Sequence, residues 1–333
     1  MSKVPLDLQR DTAQAAGRQP GASPDERVYA SLESLVRLQH QARGFTFLPR
    51  QPVHSLLAGR HASRMRGRGL NFEEIRAYHP GDDIRTIDWK VTARTRSPHT
   101  RVFTEERDRP VLLVVDQRID MFFGSRVYMK SVVAARIAAL SAWRVLDAGD
   151  RVGALVFDDS DIVETRPQRS RNTVMRILRT IVDANGRLSV VAATRGGIQM
   201  LNEALEKASR LAGHDYLVVV ISDFHGADDT TLRHLQRISA HNDLLGCLVY
   251  DPSSSNLPRS REFVITDGEL QIDIPNGTGK KRKKVEQALK ERTSNVLQMA
   301  RRVKMPMLPI NTSEEVIDQI RTLIGQRGQK SAR

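Results

Sequence analysis

VLLVVD, at residues 111–116, and LVVVISD, at residues 217–223, set the architecture of this chain. Each is a short aliphatic run that ends in an aspartate, which is the pattern of a strand buried on both faces of a parallel sheet. Between the two runs, apolar residues recur at helical spacing from Lys130 to Ala148, and Gly149 ends that helix. This alternation predicts an α/β fold, a doubly wound and mostly parallel sheet with helices on both faces.

The alternation of strands and helices runs from residue 110 to residue 325. With the segments on either side of it, the chain has four parts. Residues 1–22 are predicted to be a disordered polar tail. Residues 23–109 hold a helix, begun by a capping box at Ser23, and a small β-rich region that is punctuated by Pro and Gly. Residues 110–325 form the α/β domain, and residues 326–333 form a basic tail. Within the domain, we predict further strands at 151–157, 162–165, 244–249 and 307–310, helices at 172–182, 198–211, 229–241 and 281–302, a hairpin turn at Asp267-Gly268, and a last helix that Thr312 could cap.

Composition narrows the class of protein. The chain has 333 residues, of which 40% are hydrophobic and 27% charged, close to the averages of globular proteins. No apolar run approaches the roughly 20 residues that span a bilayer. The N-terminus lacks an apolar signal segment, and Cys247 is the single cysteine, which fits a small buried hydrophobe. We therefore expect a cytoplasmic protein, with at most a peripheral contact to a membrane.

The net charge of +13 is spread over both halves of the chain. Its densest patches lie between Arg60 and Arg68 and in the run Lys280-Lys281-Arg282-Lys283-Lys284. Such a patch can meet phosphates or an anionic membrane face, although solvated helix ends and loops have the same composition. Only 5% of the residues are aromatic and none interleaves with a basic run, which argues against binding of single-stranded nucleic acid.

Aspartates end the two central strands. Ligands of open α/β sheets bind beyond the carboxyl ends of the strands, where the strand order reverses. Asp116 and Asp223 would converge there if their strands are neighbours, and Asp120 and Asp150 would add further acid nearby. Carboxylate oxygens are the ligands that hard divalent cations prefer. The sequence therefore offers a candidate metal site at this edge.

This arrangement resembles the von Willebrand factor A domain, a Rossmann-type fold whose magnesium is held by Asp-x-Ser-x-Ser, a threonine from a middle loop, and a later aspartate. Here Asp116 and Asp223 match, but Arg118 and Asp120 replace the two serines and Thr194 comes early for the threonine. The resemblance thus implies a degenerate metal-ion-dependent adhesion site that binds magnesium weakly or not at all. Two readings of Arg118 stay open: its guanidinium replaces the metal beside both aspartates, or it points to solvent while Asp116 caps the next turn.

A longer motif lies upstream of the first central strand. It reads Gly67-x-Gly69-x-x-Phe72 followed by Arg76-x-Tyr78-x-Pro80-Gly81-Asp82-Asp83-x-Arg85-x-Ile87-Asp88-Trp89-x-x-x-Ala93-Arg94. With the domain that follows, it resembles the bacterial family called domain of unknown function 58, over about residues 45–325. The resemblance implies as partners a MoxR-type AAA+ ATPase or another protein with a von Willebrand factor A domain. It implies no settled biochemical activity.

The motif also has a physical interpretation of its own. Pro80-Gly81-Asp82-Asp83 forms a turn, because Pro fixes φ and Gly supplies a positive one. Arginines alternate with aspartates around this turn, so charge-assisted pairs could hold the region against the α/β domain, with Trp89 as an anchor. A structural role and a role in contacting a partner both remain open. The residues that would form the pairs are Arg76, Arg85 and Arg94 with Asp82, Asp83 and Asp88.

Three classes of function follow. The first is a non-enzymatic interaction or adaptor module that works with an AAA+ ATPase in protein assembly or maturation. The second is a metal-dependent hydrolase or nuclease that uses Asp116, Asp120 and Asp223, against which Arg118 argues because two-metal chemistry needs open carboxylates. The third is binding of nucleic acid or anionic lipid by the basic patch. We predict the first, with no catalytic residue, no small-molecule substrate and no cofactor beyond weakly bound magnesium.

Overall fold

A computed structural model describes residues 25–44, 70–105, 109–188, 197–254, 263–266, 271–274 and 279–323. The predicted tails at 1–22 and 326–333 lie outside these ranges. In chain order the strands are β1 (Leu70–Ala77), β2 (His99–Glu105), β3 (Val111–Asp116), β4 (Val152–Phe157), β5 (Ile162–Gln168), β6 (Leu217–Ser222), β7 (Asp243–Tyr250), β8 (Phe263–Thr266), β9 (Gln271–Ile274) and β10 (Met307–Asn311). The helices are α1 (Leu32–Arg37), α2 (Trp89–Thr95), α3 (Lys130–Asp147), α4 (Arg171–Arg187), α5 (Gly197–Leu211), α6 (Asp229–Ser239), α7 (Gly279–Arg302) and α8 (Val316–Leu323).

The central sheet has six strands in the order β10-β7-β6-β3-β4-β5. Its strands are parallel except for the edge strand β5, which pairs antiparallel with β4. From β3 the chain first adds β4 and β5 on one side and then adds β6, β7 and β10 on the other. The strand order therefore reverses at β3, and this is the switch point at which such sheets bind ligands. The prediction of a doubly wound, mostly parallel α/β sheet is confirmed.

The helices cover both faces of the sheet because strand side chains alternate between the faces. Val111, Leu113 and Val115 of β3 pack in one core with α3, α4 and α8, whereas Leu112 and Val114 pack in a second core with α5, α6 and α7. All six residues of β3 are buried. Burying one such aliphatic side chain contributes about 1.5–3 kcal/mol, which fixes the register of the central strands.

The N-terminal helix differs from its predicted form. Helix α1 begins after Ser31, whose hydroxyl accepts the backbone N–H of Ser34. The helical spacing of Leu32, Leu35 and Val36 predicted this helix, whereas the predicted cap, Ser23, lies outside the described ranges. Leu35 is buried and its carbonyl accepts the indole N–H of Trp143, which ties α1 to α3.

Upstream of the domain, β1 and β2 form an antiparallel pair, and α2 lies between them in the chain. Within the described residues, the predicted β-rich region therefore contains a two-stranded antiparallel sheet and one short helix. The predicted hairpin around Asp267-Gly268 is also present as the antiparallel pair β8–β9, although the turn residues lie outside the described ranges. Thr312 does not cap α8, because its hydroxyl donates to Asp251 and the helix begins at Val316.

Two features bear on the class of protein. Within the described ranges, no helix has both the length and the apolar character needed to cross a bilayer. Cys247 lies in β7 and is buried, and burial raises the pKa of its thiol to about 12. At neutral pH this thiol is protonated, so it packs as a small hydrophobe rather than acting as a nucleophile.

Candidate functional site

Asp116 and Asp223 end neighbouring strands, as the sequence predicted, because β3 pairs with β6 in parallel. Ser222 links them: its hydroxyl donates to Asp116 Oδ2 at 2.6 Å and accepts the backbone N–H of Phe224 at 2.8 Å. The expectation for Asp150 is wrong. That residue precedes β4, and its carboxylate accepts the N–H of Arg109 at the opposite, amino edge of the sheet.

Arg118 and Asp116 form a buried ion pair at this edge, and neither side chain is exposed. The Nε atom of Arg118 lies 3.0 Å from Oδ1 of Asp116, and Nη2 lies 2.7 Å from Oδ2. The backbone N–H of Arg118 also donates to Oδ1 at 3.0 Å. Of the two readings of Arg118, the structure places the guanidinium on Asp116 and not in solvent.

The rest of the guanidinium joins two neighbouring loops. Its Nη1 donates to the carbonyl of Gly197 at 2.9 Å and to that of His225 at 3.1 Å, and the group lies over the ring of Phe157. Burial opposes the charge on Arg118, but the carboxylates around it, Asp116 first, raise its pKa above the ordinary value. The guanidinium is therefore a permanent cation that connects β3, the start of α5 and the loop after β6.

Asp223 is held by two cations from distant parts of the chain. Its Oδ2 accepts from the ammonium of Lys130, at the start of α3, and from Nη2 of Arg292, on α7, at 3.1 Å. Its Oδ1 accepts the N–H of His225 at 2.9 Å. Burial alone would raise the pKa of Asp223, but Lys130, Arg292 and Arg118 hold it well below the usual range. Asp223 therefore stays ionised and paired at any ordinary pH.

The outer part of the site holds two further acids. Asp120 Oδ2 lies 2.5 Å from Nδ1 of His225, and both side chains are largely buried. Asp159 follows β4, and its Oδ2 accepts the N–H of Ile119 at 2.7 Å. Its Oδ1 is buried with no hydrogen-bond partner, and burial raises the pKa of this carboxyl. A Cβ at Gly197 would lie 1.9 Å from that oxygen, so the close approach of α5 requires glycine there.

These residues do not fit a magnesium ion. Both oxygens of Asp116 accept from the guanidinium of Arg118, and those of Asp223 accept from Lys130, Arg292 and a backbone N–H. Over the part of the chain that the structure describes, no three His, Cys, Asp or Glu side chains are grouped so as to hold a metal. Thr194, the candidate for the family's threonine, lies outside that part. A divalent cation here would have to displace a buried cation.

Sequence reasoning missed five residues of the site. Asp159 could have been found, since it lies two residues after the buried strand β4, at the same edge of the sheet as Asp116. Ser222 was visible only as part of the Ser-Asp pair. Nothing in the local sequence marks Lys130 or Arg292, because packing of α3 and α7 against the sheet brings them to Asp223. His225 lies in the loop after β6, and its contact with Asp120 depends on how that loop meets the loop after β3.

In the upstream motif, two aspartates have structural roles. Asp82 accepts from Nη1 and Nη2 of Arg76 at 2.9 and 2.8 Å, and from the N–H of His79, which closes the predicted turn at Pro80 and Gly81. Asp88 accepts from Arg101 of β2 at 2.8 Å. These bonds lower the pKa of both carboxyls.

Other motif residues are exposed instead of paired. The side chain of Trp89 is 70% exposed, so it does not anchor the region as expected. Arg85 and Arg94 are exposed, and within the described ranges neither forms one of the predicted ion pairs, while Asp88 pairs with Arg101. Tyr78 donates its backbone N–H to Pro98. The basic run Lys280–Lys284 forms the first turns of α7, and its side chains are outside the described part.

Comparison with known proteins identifies the family. Residues 74–295 match the family described as "Protein of unknown function DUF58". The chain is 32% identical over 223 residues to the uncharacterized proteins Mb1516 of Mycobacterium bovis and Rv1480 of Mycobacterium tuberculosis, a match that covers 67% of this chain and 68% of each relative. The chain therefore belongs to this family, and the resemblance seen in the motif is confirmed.

Solved structures are similar to about two thirds of the chain. A conserved hypothetical protein BatB from Bacteroides thetaiotaomicron has a TM-score of 0.38 at 13% identity, and the match covers 66% of this chain and 99% of that one. The VWA domain of SpRpn10 has a TM-score of 0.31 at 13% identity, and the match covers 68% of this chain and 100% of that domain.

Proposed function

We propose that this member of the DUF58 family is a protein-interaction module that binds its partner at the carboxyl edge of the central sheet. We call this edge the strand-end face and define it by Asp120, Phe123, Ile198, His225 and Arg292. The buried carboxylates lie directly beneath these residues. The proposal concerns a contact between proteins and not a reaction.

The observation that carries the proposal is the internal pairing of the charges below this face. Arg118 pairs with Asp116, and Lys130 and Arg292 pair with Asp223. The pairs at Asp223 join the end of β6 to α3 and α7, and Arg118 joins the end of β3 to the carbonyls of Gly197 and His225, so these contacts hold the loops of the face in a fixed arrangement. A face that is ordered before it binds loses less entropy on association, which favours recognition of a partner.

Apolar groups on the same edge supply contact area. Phe123, in the loop after β3, and Ile198, at the start of α5, are each 49% exposed. Beside Arg292 lies a cleft of about 260 Å³ between the loop after β6 and α7, lined in part by Phe224 and Met299. An apolar side chain that fills a desolvated pocket is a typical centre of a protein interface.

The partner that we propose is a MoxR-type AAA+ ATPase, and the next candidate is another protein with a von Willebrand factor A domain. This choice rests on the resemblance of the upstream motif to its family and not on a contact within the chain. Such a pair would act in the assembly or maturation of other proteins, where this chain would connect the ATPase to its client.

A binding titration tests the strand-end face. The purified full chain is immobilised, and the MoxR-type ATPase from the same genome is titrated with a non-hydrolysable ATP analogue. We expect saturable binding that Ile198→Glu weakens by at least about tenfold, since it places a charge in the apolar part of the interface. The matched control is Leu323→Glu on α8, because Leu323 is similarly exposed at 43% and belongs to another surface.

Two results would count against the proposal. No binding of either partner class with nucleotide present would remove the proposed partners. An equal loss of affinity in the Ile198→Glu and Leu323→Glu variants would remove the strand-end face as the site, since a general charge effect would then explain both. Thermal unfolding of each variant shows whether the fold is intact.

We propose that the second function considered, a metal-dependent hydrolase or nuclease, does not apply. Each of its three carboxylates already accepts from a positively charged or ring N–H group, Asp116 from Arg118, Asp120 from His225, and Asp223 from Lys130. Two-metal hydrolysis needs convergent carboxylates with open coordination positions. The test is a screen of nucleic acids and phosphate esters with magnesium and manganese. Turnover that Asp223→Asn abolishes would overturn this part of the proposal.

Electrostatic binding by the basic patch has its own test. Replacing Lys280, Lys281, Arg282, Lys283 and Lys284 together by glutamine removes five positive charges from the start of α7. If anionic vesicles or nucleic acid were the main ligand, wild-type binding would fall steeply with salt and would be lost in this variant. We expect the affinity for the protein partner to survive the change.

A further inference from the structure

Helix α2 displays an aromatic side chain that the core does not use. Trp89 is its first residue and is 70% exposed, whereas Trp143, the other tryptophan of the chain, is 2% exposed and donates its indole N–H to Leu35. Ile84, in the turn just before α2, is 66% exposed. Large apolar side chains that stay this exposed within a few residues of each other indicate a contact surface when they belong to a rigid element.

The helix is rigidly supported. Asp88 caps it by accepting the N–H groups of Lys90 and Val91 at 3.0 and 3.1 Å, and the same carboxylate accepts from Arg101 of β2. The preceding turn is joined to β2 by a 2.6 Å hydrogen bond between the hydroxyls of Thr86 and Thr100. The exposure of Trp89 is therefore a fixed property of the fold, because the helix that carries it is tied to the strand beside it.

Four cations lie on the same helix as this tryptophan or directly beside it in the chain. The four are Arg85, Lys90, Arg94 and Arg96, all exposed, and none forms an ion pair within the described part of the chain. Lys90 and Arg94 lie four residues apart and so share one side of the helix. Of the acids of this segment, Asp82 pairs with Arg76, Asp88 pairs with Arg101, and the exposed Asp83 accepts the backbone N–H of Arg85. The segment therefore has more unpaired cations than unpaired acids, beside an exposed apolar side chain.

We propose that this surface, the motif surface of Ile84, Trp89, Lys90, Arg94 and Arg96, is a docking site for an acidic segment of a partner protein. Trp89 would be covered by an apolar side chain of that segment, and the cations would pair with its carboxylates. Tryptophan and arginine are the residues most enriched at the energetic centres of protein interfaces. The site is separate from the strand-end face, and it stands whether or not that face binds an ATPase.

Charge and geometry favour this occupant over the others. A second copy of the chain would bring another net charge of +13 and be repelled. An anionic membrane also attracts tryptophan and cations, but helices that lie in the interface bury a long apolar face, and α2 has seven residues. Single-stranded nucleic acid is held by several stacked aromatic side chains, and Trp89 is the only aromatic residue of this helix.

The experiment uses the full chain and a short peptide of Glu and Asp with one Phe and one Leu at its centre. Tryptophan emission reports on Trp89, because Trp143 is already buried and should not respond. We expect a saturable blue shift with the acidic peptide. We expect Trp89→Ala and Lys90→Glu/Arg94→Glu each to weaken binding by about tenfold. Because Trp89→Ala removes the reporting fluorophore, binding to that variant is measured by the fluorescence anisotropy of a labelled peptide. A peptide with Lys in place of the acids should not bind.

A matched variant separates this surface from general charge. Arg176→Glu/Arg179→Glu on α4 changes the net charge by the same amount at two exposed arginines and should alter affinity less than about twofold. The proposal is overturned if this pair weakens binding as much as the α2 pair, or if the acidic peptide gives no shift. It is also overturned if vesicles of phosphatidylcholine and phosphatidylserine, or a single-stranded oligonucleotide, shift Trp89 when the peptide does not. Ile198→Glu should leave peptide binding unchanged, so the two proposals can fail separately.

Discussion

Arg118 occupies a position that few arginines do: it is fully buried, and every nitrogen of its guanidinium faces an oxygen. A buried ion pair contributes little net stability relative to an apolar pair of equal volume, but removing one partner leaves an uncompensated charge. The role of this ion pair is therefore to hold the surrounding loops in one arrangement rather than to add stability. Arg118 fixes the distance between β3 and the loops at Gly197 and His225, whose carbonyls it binds.

A double-mutant cycle tests the dependence of Asp116 on Arg118. Arg118→Met leaves Asp116 buried and unpaired, so we expect the free energy of unfolding to fall by about 3–5 kcal/mol in urea titrations. Asp116→Asn/Arg118→Met should lose clearly less than the sum of the two single changes, because neither charge remains. Arg37→Met is the control: Arg37 pairs with Glu26 and Glu33 at an exposed site, where loss should stay below about 1 kcal/mol. Additive losses in the cycle would show that the pair does not act as a unit.

Asp251 should make the stability of the protein depend on acid pH. Burial would raise the pKa of this carboxyl, but hydrogen bonds from Ser125, Ser253 and Thr312 lower it from 3.8 to about 2. A carboxyl whose folded pKa is depressed stabilises the fold above its unfolded pKa, and that stabilisation is lost as pH falls through the folded pKa. The loss should therefore fall between about pH 4 and pH 2. Asp251→Asn should flatten this part of the curve in unfolding titrations at stepped pH.

The same substitution has a cost at neutral pH. Asp251 Oδ2 accepts the backbone N–H of Ser125 at 2.8 Å and Oδ1 accepts that of Ser253 at 2.9 Å, so the NH₂ group of an asparagine would face a donor in either orientation. We expect Asp251→Asn to lower the free energy of unfolding by about 1–3 kcal/mol. Equal pH dependence in the wild type and the variant would show that another group governs acid stability.

At the scale of single elements, helix α2 depends on its cap. Asp88→Ala removes the acceptor for the N–H groups of Lys90 and Val91 and for Arg101, so we expect hydrogen exchange of residues 89–95 to accelerate strongly while α3 is unchanged. Asp83→Ala serves as the comparison, because Asp83 caps only the short 3-10 turn at Ile84–Thr86 that precedes α2. Similar acceleration in both variants would mean that the turn and not the cap holds α2.

Helix α7 depends on Arg292 for its contact with the site. The C-terminal part of α7 is packed into the core through Val296 and Ala300, whereas Arg292 binds both the carboxylate and the carbonyl of Asp223. We expect Arg292→Ala to raise deuterium uptake in residues 285–295 more than in residues 296–302. Arg301→Ala, at an exposed position of the same helix, is the control. Uniform uptake along α7 would contradict this assignment.

The elements that could be predicted from sequence share one property: the spacing of apolar residues within each element predicts which of its residues are buried. Strands β3 and β6 and helix α3 are nearly unbroken apolar patterns, and their bounds came within a residue. The aspartates at the strand ends followed from the topology. The cations that neutralise them could not be found this way, because Lys130 and Arg292 reach Asp223 from α3 and from α7, and nothing local encodes that contact.

The motif segment shows the complementary limit. Its sequence suggested alternating ion pairs, and one of them formed, between Arg76 and Asp82. Asp88 instead pairs with Arg101, which β2 brings opposite the start of α2. Charge alternation along a chain sets which pairs are possible, whereas the strand register sets which are made. Trp89 was expected to anchor the region against the α/β domain, yet at the first turn of a helix of seven residues it is exposed.

At the scale of the whole molecule, the two proposed binding surfaces differ in how their charges are paired. The strand-end face draws its shape from charges paired beneath it, and the motif surface retains unpaired cations. An acidic partner would therefore be steered to the motif surface first, since a net charge of +13 speeds the approach of negative partners. That steering should be lost in high salt, where the Debye length falls to about 3 Å at 1 M.

Magnesium binding tests directly whether the Arg118 guanidinium occupies the position that a metal ion would take in this domain. Anything that binds the folded state alone stabilises it by RT ln(1 + [L]/Kd), so a site with Kd of about 1 mM would add ~1.4 kcal/mol at about 10 mM magnesium and raise the melting temperature by several degrees. We expect no such rise beyond that given by a monovalent salt of equal ionic strength. The reason is that a metal must first displace a guanidinium that Asp116, Gly197 and His225 all bind. A rise that follows magnesium concentration and disappears in Asp116→Asn would show that the guanidinium yields to the metal, and the strand-end face would then be a cation site after all.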